Sequence, residues 1–191
     1  MENLFPILIG SILINNLALT KLVSVGLLAS LGKNEDDSVI LGVVAAIVMA
    51  ISSILSYTLY QYVLLPSGFV VLDLIAYVLI VFIVMKAIST LLKAKKPETY
   101  EKVAGILPLL TINSAVFYLL LDNVNQGLDF GSMLLTSVGA PIGLLFAFVL
   151  YGAVKERLAV ADTPKAFKGL PILLIFAALA LLAISGLNGI V

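Results

Sequence analysis

The chain has 191 residues, of which 62% are hydrophobic and 12% are charged, and its mean hydropathy is +1.20. Soluble globular domains contain about 45–50% apolar and about 25% charged residues, so this composition indicates an integral membrane protein. Eleven basic residues balance eleven acidic ones, which leaves no basic surplus for binding nucleic acid. The sequence has no cysteine and no histidine, which excludes disulfides, thiolate-ligated metals and a histidine proton shuttle.

Six apolar stretches are each long enough to cross a hydrocarbon core of about 30 Å as a helix of about 20 residues. They cover residues 4–31, 39–63, 71–92, 103–121, 132–154 and 169–190. The first follows Met1 without the basic segment of a signal peptide, so we expect it to be retained. A β-barrel would instead need segments of about ten residues with alternating polarity. The sequence therefore predicts an all-α integral membrane protein, one domain over residues 1–191 with six transmembrane helices.

The basic residues predict the orientation in the membrane. Short loops rich in lysine and arginine stay cytoplasmic, and nine of the cations lie in or beside the first, third and fifth joints between the stretches. These nine are Lys33, Lys93, Lys95, Lys96, Lys102, Lys155, Arg157, Lys165 and Lys168. The second and fourth joints and both termini carry none. We therefore expect a multi-pass protein of the plasma or inner membrane with both termini outside.

Three charged residues fall inside or at the edge of a predicted span, where polar groups often mark function. Lys86 lies close enough to the cytoplasmic end of its span for the side chain to reach the interface. Asp73 opens the same span and suits a helix cap or an exposed charge. Lys21 lies deeper, soon after an asparagine pair, and both a structural and a functional role are open for it.

Polar residues interrupt the first and fourth spans at matching places. Asn15-Asn16 lies in the middle of the first span, and Thr111, Asn113 and Ser114 lie in the middle of the fourth, after Pro108. Adjacent polar amides compete with the helix for backbone hydrogen bonds, so both helices are predicted to break there. Setting Asn15-Asn16 against Asn113-Ser114 gives an offset of 98 residues.

Three spans per half at this offset predict two inverted repeats, at about 1–92 and 103–191. In such folds, interrupted helices meet near the membrane midplane and form the functional site. The candidate ion or electron path is therefore formed by polar residues of both breaks: Asn15, Asn16, Lys21, Thr111, Asn113 and Ser114. The alternative is that the asparagine amides only hold helices together.

Three segments resemble the RnfA and NqrE family, membrane subunits of the Rnf and the sodium-pumping Nqr electron-transport complexes. Residues 9–21 (IGSILINNLALTK) are similar to the family's opening, and residues 105–116 (GILPLLTINSAV) to its second half. The motif at 156–164 (ERLAVADTP), with FKG at 167–169, lies in a joint predicted to be cytoplasmic; it is closer to RnfA and includes Glu156, Arg157 and Asp162. The resemblance runs through the whole chain in order.

The resemblance implies a six-helix subunit paired with a homologous subunit of opposite topology, next to other Rnf-type subunits. In the family the pair holds a 2Fe-2S cluster on cysteines and passes electrons in a complex that translocates sodium or protons. This sequence departs from the family at the ligand positions, because Val25-Gly26 and Ser114 stand where cysteines are expected. Neither glycine nor valine can ligate iron, and a serine hydroxyl replaces a thiolate poorly, so we expect no such cluster on this chain. A natural paralogue, an engineered cysteine-free form and a branch with another task all explain this; the altered surroundings of Gly26 favour natural divergence.

Three functions remain open at this point. The first is a membrane subunit of an Rnf-like ion-translocating electron-transport complex, without its own cluster ligands. The second is a transporter or channel for a small solute or ion, acting alone or as a homo-oligomer, and the third is an assembly subunit. The sequence lacks a nucleophile–base pair, a phosphate loop and a metal constellation, so the chain is not predicted to be catalytic alone. Any ion site would depend on backbone, asparagine, serine and threonine oxygens, which suits sodium better than a proton chain.

Overall fold

The structure is a computed structural model that describes residues 8–21, 23, 35–105 and 107–186. Every regular element in this part of the chain is helical. We label the seven principal helices α1 (Glu35–Leu59), α2 (Asp73–Lys95), α3 (Pro97–Val103), α4 (Leu107–Thr111), α5 (Ser114–Asn125), α6 (Phe130–Val160) and α7 (Leu170–Ser185). Two π-helical turns, Gly10–Ile14 and Tyr60–Leu64, precede and extend α1. Short helical turns at Leu65–Ser67, Val70–Leu72 and Lys165–Phe167 complete the described elements.

Four helical segments are long and apolar enough to cross a membrane, at Ser38–Ser67, Val70–Lys95, Leu107–Asn125 and Phe130–Val160. The apolar helix α7 is shorter, with 16 residues. The first predicted span is described only over residues 8–21 and at Val23, so its end and the joint containing Lys33 lie outside the described residues. The prediction of an all-α integral membrane protein is confirmed, whereas the division into two inverted repeats stays a prediction.

Helix α6 extends further than the hydropathy pattern predicts. The sequence places its end at residue 154, but the helix continues through Lys155, Glu156 and Arg157 to Val160. Lysine, glutamate and arginine are good helix formers, so the backbone stays helical after the apolar stretch has ended. The fifth joint therefore begins at Ala161 rather than at Lys155, and α6 extends past the predicted span.

Helices α1 and α6 form the centre of the bundle and pack along most of their length. A side chain at Gly42 of α1 would meet Leu145 Cδ1 at 2.8 Å and Phe148 Cβ at 3.1 Å, so glycine allows the two helices to approach closely at this point. Helices α2 and α5 pack against α1 on its other sides. Helix α7 contacts α6 through an edge-to-face pair of Phe176 and Tyr151, with ring centroids 5.1 Å apart.

The second and fourth joints meet at one end of the bundle. The Tyr57 hydroxyl, near the end of α1, donates to the carbonyl of Leu128 between α5 and α6. A pocket of about 370 Å³, which we call the joint pocket, opens beside this contact, and Asp129 and Gln61 are among its lining residues. The two joints without cations therefore lie at the same end of the bundle, as the predicted topology requires.

Asp129 caps the N-terminus of α6 in the joint pocket. Its Oδ2 accepts hydrogen bonds from the backbone N–H groups of Gly131 and Ser132. Hydrogen bonds from the Ser132 side chain and backbone hold the pKa of the Asp129 carboxyl below its usual value, because they favour the charged form. The pocket consequently carries a negative charge at ordinary pH.

Candidate functional site: two interrupted helices

The first predicted break lies where the sequence places it. The π-helical turn Gly10–Ile14 ends at Asn15, whose φ and ψ of −96° and 30° leave the helical region. The backbone N–H of Asn15 donates to Gly10 O at 2.7 Å, which closes the wide turn. Such π-turns are rare and are often found at functional sites.

Asn16 stabilises both sides of this break. Its Oδ1 accepts hydrogen bonds from the N–H groups of Ala18 at 3.0 Å and Leu19 at 3.1 Å, as an N-cap side chain does. Its Nδ2 donates to Ile12 O at 2.9 Å and to Gly143 O on α6 at 2.7 Å. The amide thus uses both donors and both acceptor positions while the residue is fully buried. Asn15, in contrast, is exposed.

Two glycines of α6 form the surface on which the broken segment packs. A Cβ atom at Gly143 would lie 2.7 Å from Ile12 O and 3.0 Å from Asn16 Nδ2. At Gly139, one turn earlier, it would lie 2.9 Å from Ser11 Cβ. Small residues spaced by one turn let helix backbones approach closely in membranes. The sequence analysis missed this pair, although the spacing of Gly139 and Gly143 could have suggested it.

The second predicted break is also present, between α4 and α5. Asn113 has an extended backbone, with φ −78° and ψ 124°, and forms the N-cap of α5. Its Oδ1 accepts a hydrogen bond from Ala115 N at 2.9 Å, and the residue is 4% exposed. An asparagine therefore caps the resumed helix in both interrupted spans.

The capping bonds change the register between the two halves by one residue. The sequence pairs Asn15 with Asn113 and Asn16 with Ser114, but the capping interactions make Asn16 and Asn113 equivalent, 97 residues apart. Each accepts from the N–H two residues later. The difference arises because a pair of adjacent polar residues does not reveal which of the two turns inward. The side chain of Ser114 is exposed.

The other sequence-predicted residues lie around the breaks. Lys21 is exposed in a bend shortly after Asn16, and the hydroxyl of Thr20 donates to Asn16 O at 2.7 Å. Thr111 ends α4 and lines a pocket of about 200 Å³ together with Lys86 of α2. All bonds of the Asn16 amide run to its own segment and to α6, so none of them joins it to the second break. The convergence of both breaks at the midplane stays a prediction.

The motif at 156–164 is presented to solvent or to a partner. Glu156 and Arg157 are exposed on the last turn of α6, and Asp162 is exposed in the joint after it. The next residue but one, Pro164, precedes the short turn Lys165–Phe167. The motif is therefore an accessible charged surface rather than a part of the core.

The residues present do not fit the 2Fe-2S cluster that the family resemblance implies. Ser114, at one ligand position, offers an exposed hydroxyl, and Gly26, at the other, lies outside the described residues and has no donor side chain in any case. Among the residues that the structure describes, no group of three or more acidic, histidine or cysteine residues comes together. Oxygen donors of this kind hold iron–sulfur clusters poorly.

Sequence reasoning also missed a buried polar cluster between three helices, which we call the serine–asparagine cluster: Ser53 of α1, Asn123 of α5 and Ser137 of α6. The hydroxyl oxygens of Ser53 and Ser137 lie 2.7 Å apart, and Asn123 Nδ2 lies 2.9 Å and 3.2 Å from them. All three residues are at most 1% exposed. The three lie far apart in the sequence, and isolated serines are common in membrane spans, so no local pattern marked them.

An all-helical bundle with exposed apolar faces and two asparagine-capped helix breaks defines a multi-pass membrane protein with interrupted helices. Comparison with known proteins makes this more specific. The chain belongs to the family described as "Rnf-Nqr subunit, membrane protein", whose model matches residues 4–191. This confirms the family resemblance in the sequence.

Several curated relatives are named as one of the subunits of an ion-translocating oxidoreductase complex. The relative from Photorhabdus laumondii is 32% identical over 191 residues, which cover 100% of this chain and 99% of the relative. The relative from Shigella sonnei is 31% identical with the same coverage. The relative from Vibrio atlanticus is 30% identical and is covered over 100% of its length.

Proposed function

We propose that this chain is a membrane subunit of an ion-translocating oxidoreductase complex and contributes scaffold and ion path rather than cluster ligands. The full-length match to a family of membrane subunits carries this proposal. Relatives named as subunits of such a complex align over nearly their entire length, so the similarity is not confined to one motif. The two capped helix breaks support an ion path, because interrupted helices expose backbone groups inside the membrane.

The absence of cysteine shapes the role of the chain within the complex. Without thiolates it cannot supply the usual ligands of an iron–sulfur cluster, so electron transfer would be carried by partner subunits. The expected partners are a homologous membrane subunit of opposite topology and other Rnf-type subunits. The exposed charges at Glu156, Arg157 and Asp162 are suited to contact with such partners at the cytoplasmic face.

The proposed orientation places both termini outside the inner membrane, and the chain offers a direct test. Because the sequence is free of cysteine, single cysteines can be introduced without background. Replacement of Lys95 or Lys165 by cysteine should give protein that resists an impermeant thiol reagent in intact cells and reacts after lysis. Labelling of both positions in intact cells would overturn the topology.

The function is tested by purifying the tagged chain under mild conditions from its native host. We expect membrane subunits with redox cofactors to copurify, and we expect electron-driven sodium or proton uptake by membrane vesicles to be lost when the gene is deleted. Iron and visible absorbance should accompany the complex but not the isolated chain. Stoichiometric iron on the isolated chain would contradict the proposed loss of cluster ligands.

The test also separates the two main hypotheses. A chain that purifies only with itself, while oxidoreductase-driven ion uptake is unaffected by its deletion, would refute the proposed function and favour a transporter or channel. Restoration of uptake by the wild-type gene provides the matched control. An Asn15→Ala variant, changed at an exposed side chain beside the first break, should restore uptake equally.

A further inference from the structure

The serine–asparagine cluster has unused acceptor capacity. Asn123 donates both amide hydrogens to the two serine oxygens. The Ser137 hydroxyl donates to Met133 Sδ at 3.3 Å, so the bond between the serines uses the hydrogen of Ser53. All four side-chain donors are therefore occupied, whereas Asn123 Oδ1 has no hydrogen-bond partner among the described residues. A buried acceptor without a partner costs free energy and is suited to a water molecule or a cation.

Pro141 adds a second unused acceptor at the same place. Proline has no N–H, so the helix α6 cannot supply the usual i to i−4 hydrogen bond to the carbonyl of Ser137. Carbonyl groups released from a helix in this way coordinate monovalent cations in membrane transporters. Ser137 thus provides both a hydroxyl and a released carbonyl beside the amide of Asn123.

The joint pocket gives access to this cluster. Tyr57 lines the pocket and lies one turn after Ser53 on α1, and Val124, which also lines it, directly follows Asn123. Residues four apart lie on the same helix face, so Tyr57 covers the side of Ser53 that is nearer the pocket. The bond from its hydroxyl to Leu128 holds this cover in place. The ionised Asp129 carboxylate in the pocket attracts cations to the opening.

We propose that Asn123, Ser53 and Ser137 form a binding site for a dehydrated sodium ion that enters from the joint pocket past Tyr57. Half a turn of the Asn123 amide exchanges its oxygen and nitrogen, which have nearly the same size. Three side-chain oxygens then face one another across 2.7 to 3.2 Å, next to the Ser137 carbonyl. Neutral oxygens suit a monovalent ion, since divalent cations bind mainly through carboxylates. The short separations favour sodium over the larger potassium.

This inference deepens the proposed function, because it gives the translocated ion a place to bind. Its test uses the isolated full chain, so it can fail while the chain still assembles into a complex. Heat unfolding of the purified protein is followed in sodium, potassium and choline chloride at equal ionic strength. A ligand that binds only the folded state raises the unfolding temperature, so sodium should stabilise the wild type more than either other salt.

Asn125 provides the matched control, since it lies on the same helix and is exposed. The sodium-specific rise should be retained in Asn125→Leu and lost in Asn123→Leu. An equal effect of all three salts on the wild type, or an unchanged rise in Asn123→Leu, would overturn the proposal. A charged ligand of the same shape, Asn123→Asp, should fold and bind sodium at least about tenfold more tightly, the size of one strong hydrogen bond. Unchanged affinity in that variant would equally overturn it.

Access past Tyr57 has its own measurement. Tyr57→Phe removes the hydroxyl that bonds to Leu128 but keeps the ring. Sodium exchange, measured by the line width of the sodium nuclear resonance, should become several times faster while the affinity stays the same. Unchanged exchange would refute the proposed route through the joint pocket.

Discussion

Replacement of Gly143 by alanine tests how the broken first segment is held on α6. The added Cβ atom would lie 2.7 Å from the carbonyl oxygen of Ile12 and 3.0 Å from Asn16 Nδ2. The first of these atoms belongs to the backbone, and the second belongs to a buried amide whose hydrogen bonds are all used. Neither can move aside without cost, so the segment must shift away from the helix.

The expected magnitude has three contributions. Overpacking of a close contact costs about 1–3 kcal/mol. Weakening the 2.7 Å hydrogen bond from Asn16 Nδ2 to Gly143 O adds about 1 kcal/mol. Alanine in place of glycine within a helix returns about 1 kcal/mol through its higher helix propensity. The net loss in the free energy of unfolding is therefore about 1–3 kcal/mol.

The assay is reversible unfolding of the purified protein in mixed detergent micelles, followed by circular dichroism. Gly10→Ala is the matched control, because Gly10 lies in the same broken segment and no atom lies within 4 Å of its added Cβ. This control should be neutral or slightly stabilising. Equal stability of the two variants would refute the proposed packing of the first break against α6.

Two further predictions concern capping groups. Asn16→Ala removes two capping bonds and the bond to α6, so we expect a loss of about 2–4 kcal/mol in unfolding free energy, against less than about 0.5 kcal/mol for the exposed Asn15→Ala. Similar losses for both variants would show that the wrong asparagine was assigned as the cap. For Asp129, hydrogen bonds from Ser132 lower the folded-state pKa, so the cap contributes fully above the ordinary carboxyl pKa of about 3.9 and loses its contribution as the pH falls through the lower folded value. Asp129→Asn should remove this part of the pH dependence when thermal unfolding is measured from neutral to acidic pH, and identical acid profiles would contradict the assignment.

The sequence predicted the class of fold because the signal is large. Apolar stretches of about 20 residues have few alternatives to membrane helices, and the structure has four such segments plus the shorter α7 in its described part. Helix ends were less accurate. At Lys155, hydropathy records only the change in polarity, whereas the intrinsic helix preference of charged residues decides where the backbone ends its helix.

The helix breaks were predictable because asparagine in an apolar helix is costly without a partner. The partner itself was not predictable, since Gly143 lies 127 residues from Asn16 and no local pattern connects them. The serine–asparagine cluster escaped for the same reason: its members come from α1, α5 and α6. Tertiary proximity of single polar residues becomes visible only when the helices are packed.

The bond between Asn16 and Gly143 has a consequence for biosynthesis. The two residues are separated by 127 positions, so at a synthesis rate of about 5–20 residues per second, Gly143 emerges roughly 6–25 s after Asn16. During that interval the first segment is inserted with its buried amide lacking the acceptor on α6. We infer that the nascent segment waits at the translocation machinery, or in contact with water, until α6 arrives. Maturation of the N-terminal segment therefore depends on the synthesis of the fifth span, and truncation before Gly143 should leave that segment exposed to membrane proteases.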